Sequence, residues 1–348
     1  MGLSLCNNSQ STFDSESQKL FQINTESNNK LENINNNNNN NDSGVNANQP
    51  EDSQQHNQDK KKSLFLSILD INNEKYYTSD INLRILSTLK GISQLNVNNS
   101  LYLCGTNDIT STCGSYLLNI ELHKKNEPLV KFLVSSNYVH IHPSLFFSKH
   151  INSLFAIGGK DQIKCELFDI ENNKWKSLPD LPEERYLCTL MSNGKGQHMY
   201  LFGGFCKSNN TKCSSLLRLN LLKRKYWEEL HLDHNSELIQ KTSSAAFSLY
   251  DKDTDRDCIY ILGGKNANKE YSDDIVEYNV NKTTINLIDK LNEKTTFLNQ
   301  SGVNISSRSF LFYDKKAKVI NVDVCEYSIK CSTYGDCDYV IQSKRKQD

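Results

Sequence analysis

No Cys-x-x-Cys pair occurs among the 11 cysteines of this chain, which removes the ligand spacing of zinc ribbons and the redox motif of thioredoxin-like proteins. There is no charged start followed by an apolar stretch, so no secretory leader is expected. No run of 18 apolar residues occurs either, so no transmembrane helix is expected. An odd cysteine count without a leader points to a cytoplasmic protein whose thiols stay reduced and serve as small hydrophobic side chains. An excess of basic charge is missing too: 40 Lys and Arg stand against 41 Asp and Glu. The electrostatic footprint of a nucleic-acid binder is therefore lacking. Matches to Asn-x-Ser/Thr, as at Asn209 and Asn281, are what chance delivers in a chain this rich in asparagine.

Large apolar residues are scarce at the start. Hydrophobic content is 37%, held down by residues 1–62, which are chiefly Asn, Ser, Gln, Asp and Glu with an unbroken asparagine run at 35–41. Such a segment cannot bury enough apolar surface to offset its ordering entropy, so it is expected to be a disordered tail. It reads as a self-associating segment or as a neutral low-complexity expansion. Composition changes at the three lysines 60–62. A folded domain is expected over 63–342, with a short basic tail over 343–348.

Within that domain the sequence repeats itself. LFAIGG at 154–159, MYLFGG at 199–204 and IYILGG at 259–264 align, and LYLCGT at 101–106 is a weaker fourth copy. Each is an apolar run without alternation, closed by glycine: Gly158 and Gly159, Gly203 and Gly204, Gly263 and Gly264, and Gly105 alone. A run of that kind is a strand buried on both faces. Glycine where it ends permits unusual backbone angles and close packing. A second element follows each run, reading strand, turn, strand: Phe168-Asp169 leads to Trp175, Leu219-Asn220 to Trp227, Tyr278-Asn279 to Ile285 and Leu69-Asp70 to Tyr76, with Leu118-Asn119 a fainter copy. The anchors Leu69, Leu118, Phe168, Leu219 and Tyr278 are spaced by 49, 50, 51 and 59 residues.

A period near 50 with these motifs resembles the kelch repeat. Segment 153–186, with Gly158, Gly159, Phe168, Asp169, Trp175 and Arg185, is similar to a full repeat, and 198–230 to a second. Segment 258–288 lacks the tryptophan, the copy at Leu101 has lost its second glycine and tryptophan, and the copy from Phe310 to Asp323 has lost both glycines. The resemblance covers roughly 64–342. It implies an all-β propeller of four-stranded antiparallel blades, in which Trp175 and Trp227 pack between blades. Five blades result if 64–77 supply outer strands to a blade whose inner strands lie near 307–324, since ring closure leaves no open edges. Six incomplete blades result if 338–341 is a further strand.

The resemblance also places Arg185 and Arg308 just before an inner strand, near the mouth of the central channel, with Lys241 close to the corresponding place. Two readings stand for the arginines: forked recognition of partner carboxylates, or a hydrogen bond to a carbonyl within the blade. Cys325, Cys331 and Cys337 lack zinc-ligand spacing. His140 with His142, and His231 with His234, have no matching acidic or cysteine partner in sequence. No metal or cofactor is therefore expected. Gly2 begins like a myristoylation signal but has Cys6 where serine or threonine is preferred; Cys6 would instead accept palmitate, and two chains would hold a membrane where one would not. Peripheral membrane association is the alternative to a cytoplasmic location.

No nucleophile elbow, phosphate loop or paired metal motif appears, and enzymatic activity is not expected. The loops at one end of a propeller form a broad surface suited to protein partners. The expectation is a monomeric interaction platform or scaffold for an unknown protein partner. The alternative is a carbohydrate-active enzyme, since galactose oxidase and a sialic-acid epimerase resemble kelch propellers.

Overall fold

The computed structural model describes residues 19–26, 63–70, 75–80, 88–107, 114–122, 128–232, 234–297, 303–306, 308–314, 318–324 and 329–334. Gly2, Cys6, Cys325, Cys337, the run at 338–341 and the tail 343–348 lie outside them.

Five four-stranded antiparallel blades form an all-β propeller. The first blade is β4 (Leu89–Val97), β5 (Ser100–Asn107), β6 (Tyr116–Leu122) and β7 (Pro128–Phe132). The second is β8 (Ser144–Ser148), β9 (Ser153–Gly159), β10 (Gln162–Asp169) and β11 (Lys174–Leu178). The third is β12 (Thr189–Ser192), β13 (His198–Phe202), β16 (Leu216–Asn220) and β17 (Trp227–Leu230), carrying a short hairpin of β14 (Phe205–Cys206) and β15 (Thr211–Lys212). The fourth is β18 (Ala245–Asp251), β19 (Arg256–Leu262), β20 (Ser272–Asn279) and β21 (Thr284–Thr295). The fifth is β22 (Val303–Ser306), β23 (Ser309–Tyr313), β24 (Val319–Val324) and β25 (Ile329–Tyr334). Within each blade the strands run in chain order from the innermost outward.

The apolar runs are the second strands. Every residue of β9 is buried, because its two faces meet two neighbouring blades. Leu154 and Ala156 pack with Leu95, Tyr102 and Leu117 of the first blade. Phe155 and Ile157 pack with Leu190 and Leu201 of the third. Burying a large apolar side chain contributes about 1.5–3 kcal/mol, so each such strand ties two interfaces at once. Further round the ring, Tyr200 meets Tyr278 at 5.4 Å between the third and fourth blades. Phe247 stacks on Phe310 at 4.2 Å between the fourth and fifth. Trp175 is buried and donates from Nε1 to the carbonyl of Val134 in the linker leaving the first blade. Trp227 does the same to Pro179, in the linker leaving the second.

The glycine doublets end the second strands where the next blade's linker crosses. The Gly204 amide donates to the Lys241 carbonyl at 2.8 Å, and the Gly159 amide to that of Arg185 at 3.1 Å. At Gly203 φ is +58° and a Cβ would stand 2.2 Å from the Ile239 carbonyl oxygen, so both the backbone angle and the space require glycine.

Two sequence expectations need correction. The Asn-rich region is not a tail throughout: Lys19–Glu26 is a strand, β1, paired antiparallel with β2 (Ser63–Asp70), which pairs in turn with β3 (Lys75–Asp80). Residues 64–77 therefore do not complete the C-terminal blade, which already has its own four strands. They belong to a separate three-stranded sheet. Its β1 lies against β4 and β5 on one side and β23 on the other, so this sheet stands between the first and fifth blades. The register explains the pairing: Lys19 faces Asp70 and Leu20 faces Leu69, as Ser153 faces Asp169 and Leu154 faces Phe168. Lys19-Leu20-Phe21 is thus a second strand that has lost its glycines. In the first blade the same register puts Ile120 and Glu121, not Leu118 and Asn119, at the place of Phe168 and Asp169.

Candidate functional site

All second strands end, and all first and third strands begin, at one end of the ring, marked by the glycine doublets. The linkers between blades cross that end, and three of them carry a basic residue at one repeated position. His140, Arg185 and Lys241 each lie four residues before the start of β8, β12 and β18. All three are buried, and each reaches the third strand of its own blade or the residue before it. His140 Nδ1 meets the Gly158 carbonyl at 2.7 Å and its Nε2 meets Glu166 at 3.2 Å. Arg185 donates to the Ser215 carbonyl at 3.2 Å and the Ser215 hydroxyl at 2.6 Å, and pairs with Glu183. Lys241 donates to Asp274 at 2.6 Å and to Ser272 at 3.1 Å.

Burial lowers the Lys241 ammonium below its ordinary value, partly offset by Asp274. Burial alone would raise the Glu166 carboxyl, but bonds from His140, Asn137 and the Tyr138 amide together hold it below its usual range. These residues are pins. They fix each linker to its blade, and their own side chains are withdrawn from solvent. Arg185 and Lys241, expected as partner contacts, are placed in the alternative role of bonds within the blade. Arg308 is exposed but sits in the turn between β22 and β23, at the other end of the ring, because β22 precedes it as the inner strand. The three candidates therefore do not form one surface.

The histidine pair separates as well. His140 points into the second blade, whereas His142 stacks on Tyr186 at 6.5 Å. Among the described residues no group of three His, Cys, Asp or Glu side chains is placed to hold a metal ion. Among the described residues Cys104, Cys165, Cys188, Cys206, Cys213 and Cys258 are buried and Cys331 is half-buried, and burial pushes Cys104, Cys165 and Cys213 up to about 12 and Cys188 and Cys258 up to about 11. Such thiols pack rather than react.

What the doublet end does present comes, His142 apart, from residues the sequence reading passed over. The residue after each doublet joins the residue after each pin: Lys160 to Ile141, Phe205 to Tyr186 and Lys265 to Thr242, each amide donating to the linker carbonyl at 2.8–3.0 Å. That position was readable as the residue following Gly-Gly. Around the third blade it builds a half-buried aromatic cluster, with Tyr186 edge-on to Phe205 at 5.6 Å and His142 stacked behind. Beside it, Lys212 of the β14–β15 hairpin donates to Thr242 Oγ1 at 3.2 Å and to the Lys265 carbonyl. Lys265 lies over the Tyr271 ring at 5.8 Å. Burial, with Lys265 nearby, pulls the Lys212 ammonium down to about 8. Among the described residues no carboxylate pairs with Lys212 or Lys265, whereas the neighbouring Lys207 is bound to Asp161 at 2.8 Å.

A hollow of about 820 Å³ opens at the opposite end, against the turns of the fourth blade. Its Arg256 is bound to Glu277 at 2.6 Å and its Asp255 to Lys195 at 2.8 Å, so these groups already satisfy one another. No protein-family model matches the chain, and a search of curated proteins finds no match.

Proposed function

We propose that this chain is a kelch-type propeller that serves as a protein-binding platform, and that its glycine-doublet end receives an acidic segment of the partner. One observation carries the reading: Lys212 and Lys265 stand together without a carboxylate partner among the described residues, next to the half-buried cluster of His142, Tyr186 and Phe205. Interface cores favour aromatic groups ringed by charges that find their partners across the interface. Two neighbouring ammonium groups in a half-buried setting repel each other, and an approaching carboxylate relieves both. The kelch assignment is supported by the spacing of the repeats, the doublets Gly158-Gly159, Gly203-Gly204 and Gly263-Gly264, and the tryptophans at matching positions.

The test is affinity capture from a lysate with the full chain and with a Lys212→Glu, Lys265→Glu double variant, read by mass spectrometry. The reading expects partners retained by the wild type to be lost from the variant while its melting temperature holds. Capture of the same set by both would sink it.

A further inference from the structure

The turns between third and fourth strands are described in full in the second, third and fourth blades, and they share one frame. A side chain at the end of the third strand accepts from the turn's own backbone: Asp169 Oδ1 from the Asn172 amide at 3.1 Å, Asn220 Oδ1 from Lys223 at 2.8 Å and Asn279 Oδ1 from Lys282 at 3.0 Å. Each turn also holds one residue at positive φ, namely Asn173, Arg224 and Thr283. In the second and fourth blades the frame carries polar groups, Glu171-Asn172-Asn173-Lys174 and Asn281-Lys282-Thr283-Thr284. The third blade departs from this. Its turn is one residue longer, since Leu219 faces Trp227 where Phe168 faces Trp175 and Tyr278 faces Ile285. It reads Leu222-Lys223-Arg224-Lys225-Tyr226. Leu222 is 77% exposed and Tyr226 68%, the highest values among the large apolar side chains described. A single exposed leucine is ordinary; two exposed apolar groups bracketing three cations call for a cause. The nearby Glu228 is taken by Arg218 at 2.7 Å, and among the described residues no carboxylate pairs with Lys223, Arg224 or Lys225. Beside the turn lies a hollow of about 160 Å³ whose walls include His198, Arg218, Lys223, Lys225 and Tyr226.

We propose that this turn docks on an anionic membrane surface, with Leu222 and Tyr226 entering the bilayer interface while Lys223, Arg224 and Lys225 meet lipid phosphates, one headgroup lying in the hollow beside Arg218. The combination of chemistries selects the occupant. Anionic headgroups attract clustered Lys and Arg, leucine gains by leaving water, and tyrosine suits a boundary where one end is apolar and the other wet. A folded protein partner needs about 800 Å² of complementary surface on each side. The flanking turns of the second and fourth blades are polar and do not extend the apolar patch, whereas a fluid bilayer closes around a protrusion. Third strands begin at the doublet end, so this turn lies at the opposite end of the ring. A docked ring leaves its doublet end open to solvent. Asp251 and Asp255 share the membrane-facing end but sit on the inner turn of the fourth blade, and Asp255 is held by Lys195 at 2.8 Å. Contact is therefore made by the rim of the third blade.

Vesicle sedimentation with the purified full chain, free of any attached lipid, tests this. Vesicles of phosphatidylcholine with phosphatidylserine are expected to bind it on the order of a hundredfold more strongly than phosphatidylcholine alone, from three cations near a charged surface. A Lys223→Ser, Lys225→Ser variant is expected to lose most of that preference. A Leu222→Ser, Tyr226→Ser variant is expected to bind the mixed vesicles about tenfold more weakly. Both should keep the wild-type melting temperature, since Asn220 holds the backbone amides of Leu222 and Lys223 whatever their side chains. Lys282→Ser, at the place of Lys223 in the fourth blade, is the control and is expected to bind as the wild type does. Equal binding to the two kinds of vesicle would overturn the proposal. So would undiminished binding of the Leu222→Ser, Tyr226→Ser variant, or a loss in Lys282→Ser as large as in the third-blade lysine variant, which would spread the contact over the whole end. Retention on immobilised polyglutamate without vesicle binding would overturn it too, and would assign the turn to an acidic protein.

Discussion

Trp175 Nε1 donates to the carbonyl oxygen of Val134 at 2.8 Å, which ties the outer strand of the second blade to the linker leaving the first. The ring and the hydrogen bond are separable. Trp175→Phe keeps an aromatic in the interface of Leu95, Tyr102 and Leu154 but removes the hydrogen bond to the Val134 carbonyl, and is expected to cost about 0.5–1.5 kcal/mol. Trp175→Ala is expected to cost about 3–5 kcal/mol, because a cavity is added. Urea denaturation of the two variants measures the difference. No loss in Trp175→Phe would show that the carbonyl finds another donor, and equal losses in the two variants would show that the ring adds nothing to the interface.

Arg185 is expected to matter for stability and not for partner contact. Its guanidinium is fully buried and holds the carbonyl and hydroxyl of Ser215. Arg185→Ala strands those groups and is expected to cost about 1–3 kcal/mol. Partner affinity, measured well below the variant's melting temperature, should stay near the wild-type value. A large loss of affinity in a folded Arg185→Ala protein would return this residue to the binding surface.

Asn119 is buried in β6, and among the described residues neither end of its carboxamide meets a hydrogen-bonding partner. Its neighbour Leu117 packs among apolar residues between the first and second blades. Asn119→Leu removes the stranded polar group at similar volume and is expected to stabilise the chain by about 1–3 kcal/mol. A lower melting temperature would show that Asn119 is satisfied in solution.

Lys212 predicts a pH dependence. Its folded value of about 8 lies below the unfolded value of about 10.4, so between the two the unfolded chain binds more protons and stability rises with pH. Affinity for an acidic segment should run the other way and weaken as pH rises through about 8. Lys212→Met should flatten both profiles, which melting curves and binding isotherms from pH 6 to 10, spanning roughly the two values, will read.

Removing residues 1–26 is expected to lower the melting temperature by several degrees, because it takes away β1 and exposes β2 along its length. Differential scanning calorimetry of the shortened chain checks this. No shift would mean that the three-stranded sheet adds little to the ring.

The strands that pack between two blades were legible in the sequence. Continuous apolar runs closed by Gly-Gly, and the Phe168-to-Trp175 unit, have a packing cause that leaves a pattern in the chain. β1 was hidden because Lys19-Leu20-Phe21 keeps the register but has lost the glycines, and because the asparagine-rich surroundings mask a short apolar run. The assignment of 64–77 to the last blade followed from that omission: two outer strands needed an inner neighbour, and the nearer one was unseen. The site was less legible. Arg185 and Lys241 stood out by charge, yet their partners at Ser215 and Asp274 lie 30 and 33 residues away, and burial by a distant segment leaves no local mark. The position after each glycine doublet was visible, but Phe205 and Lys265 acquire meaning only once the linkers carrying Tyr186 and Thr242 lie beside them.

Because Glu26 faces Ser63, the asparagine-rich residues 27–62 are the connection between two paired strands and not an overhang. The entropy of closing such a connection grows only with the logarithm of its length, about 0.6 kcal/mol for each doubling. Added or lost asparagines therefore weigh little on the propeller, while a short loop at this place would register every residue. Codon-repeat drift can lengthen or shorten the segment by many residues before the fold resists.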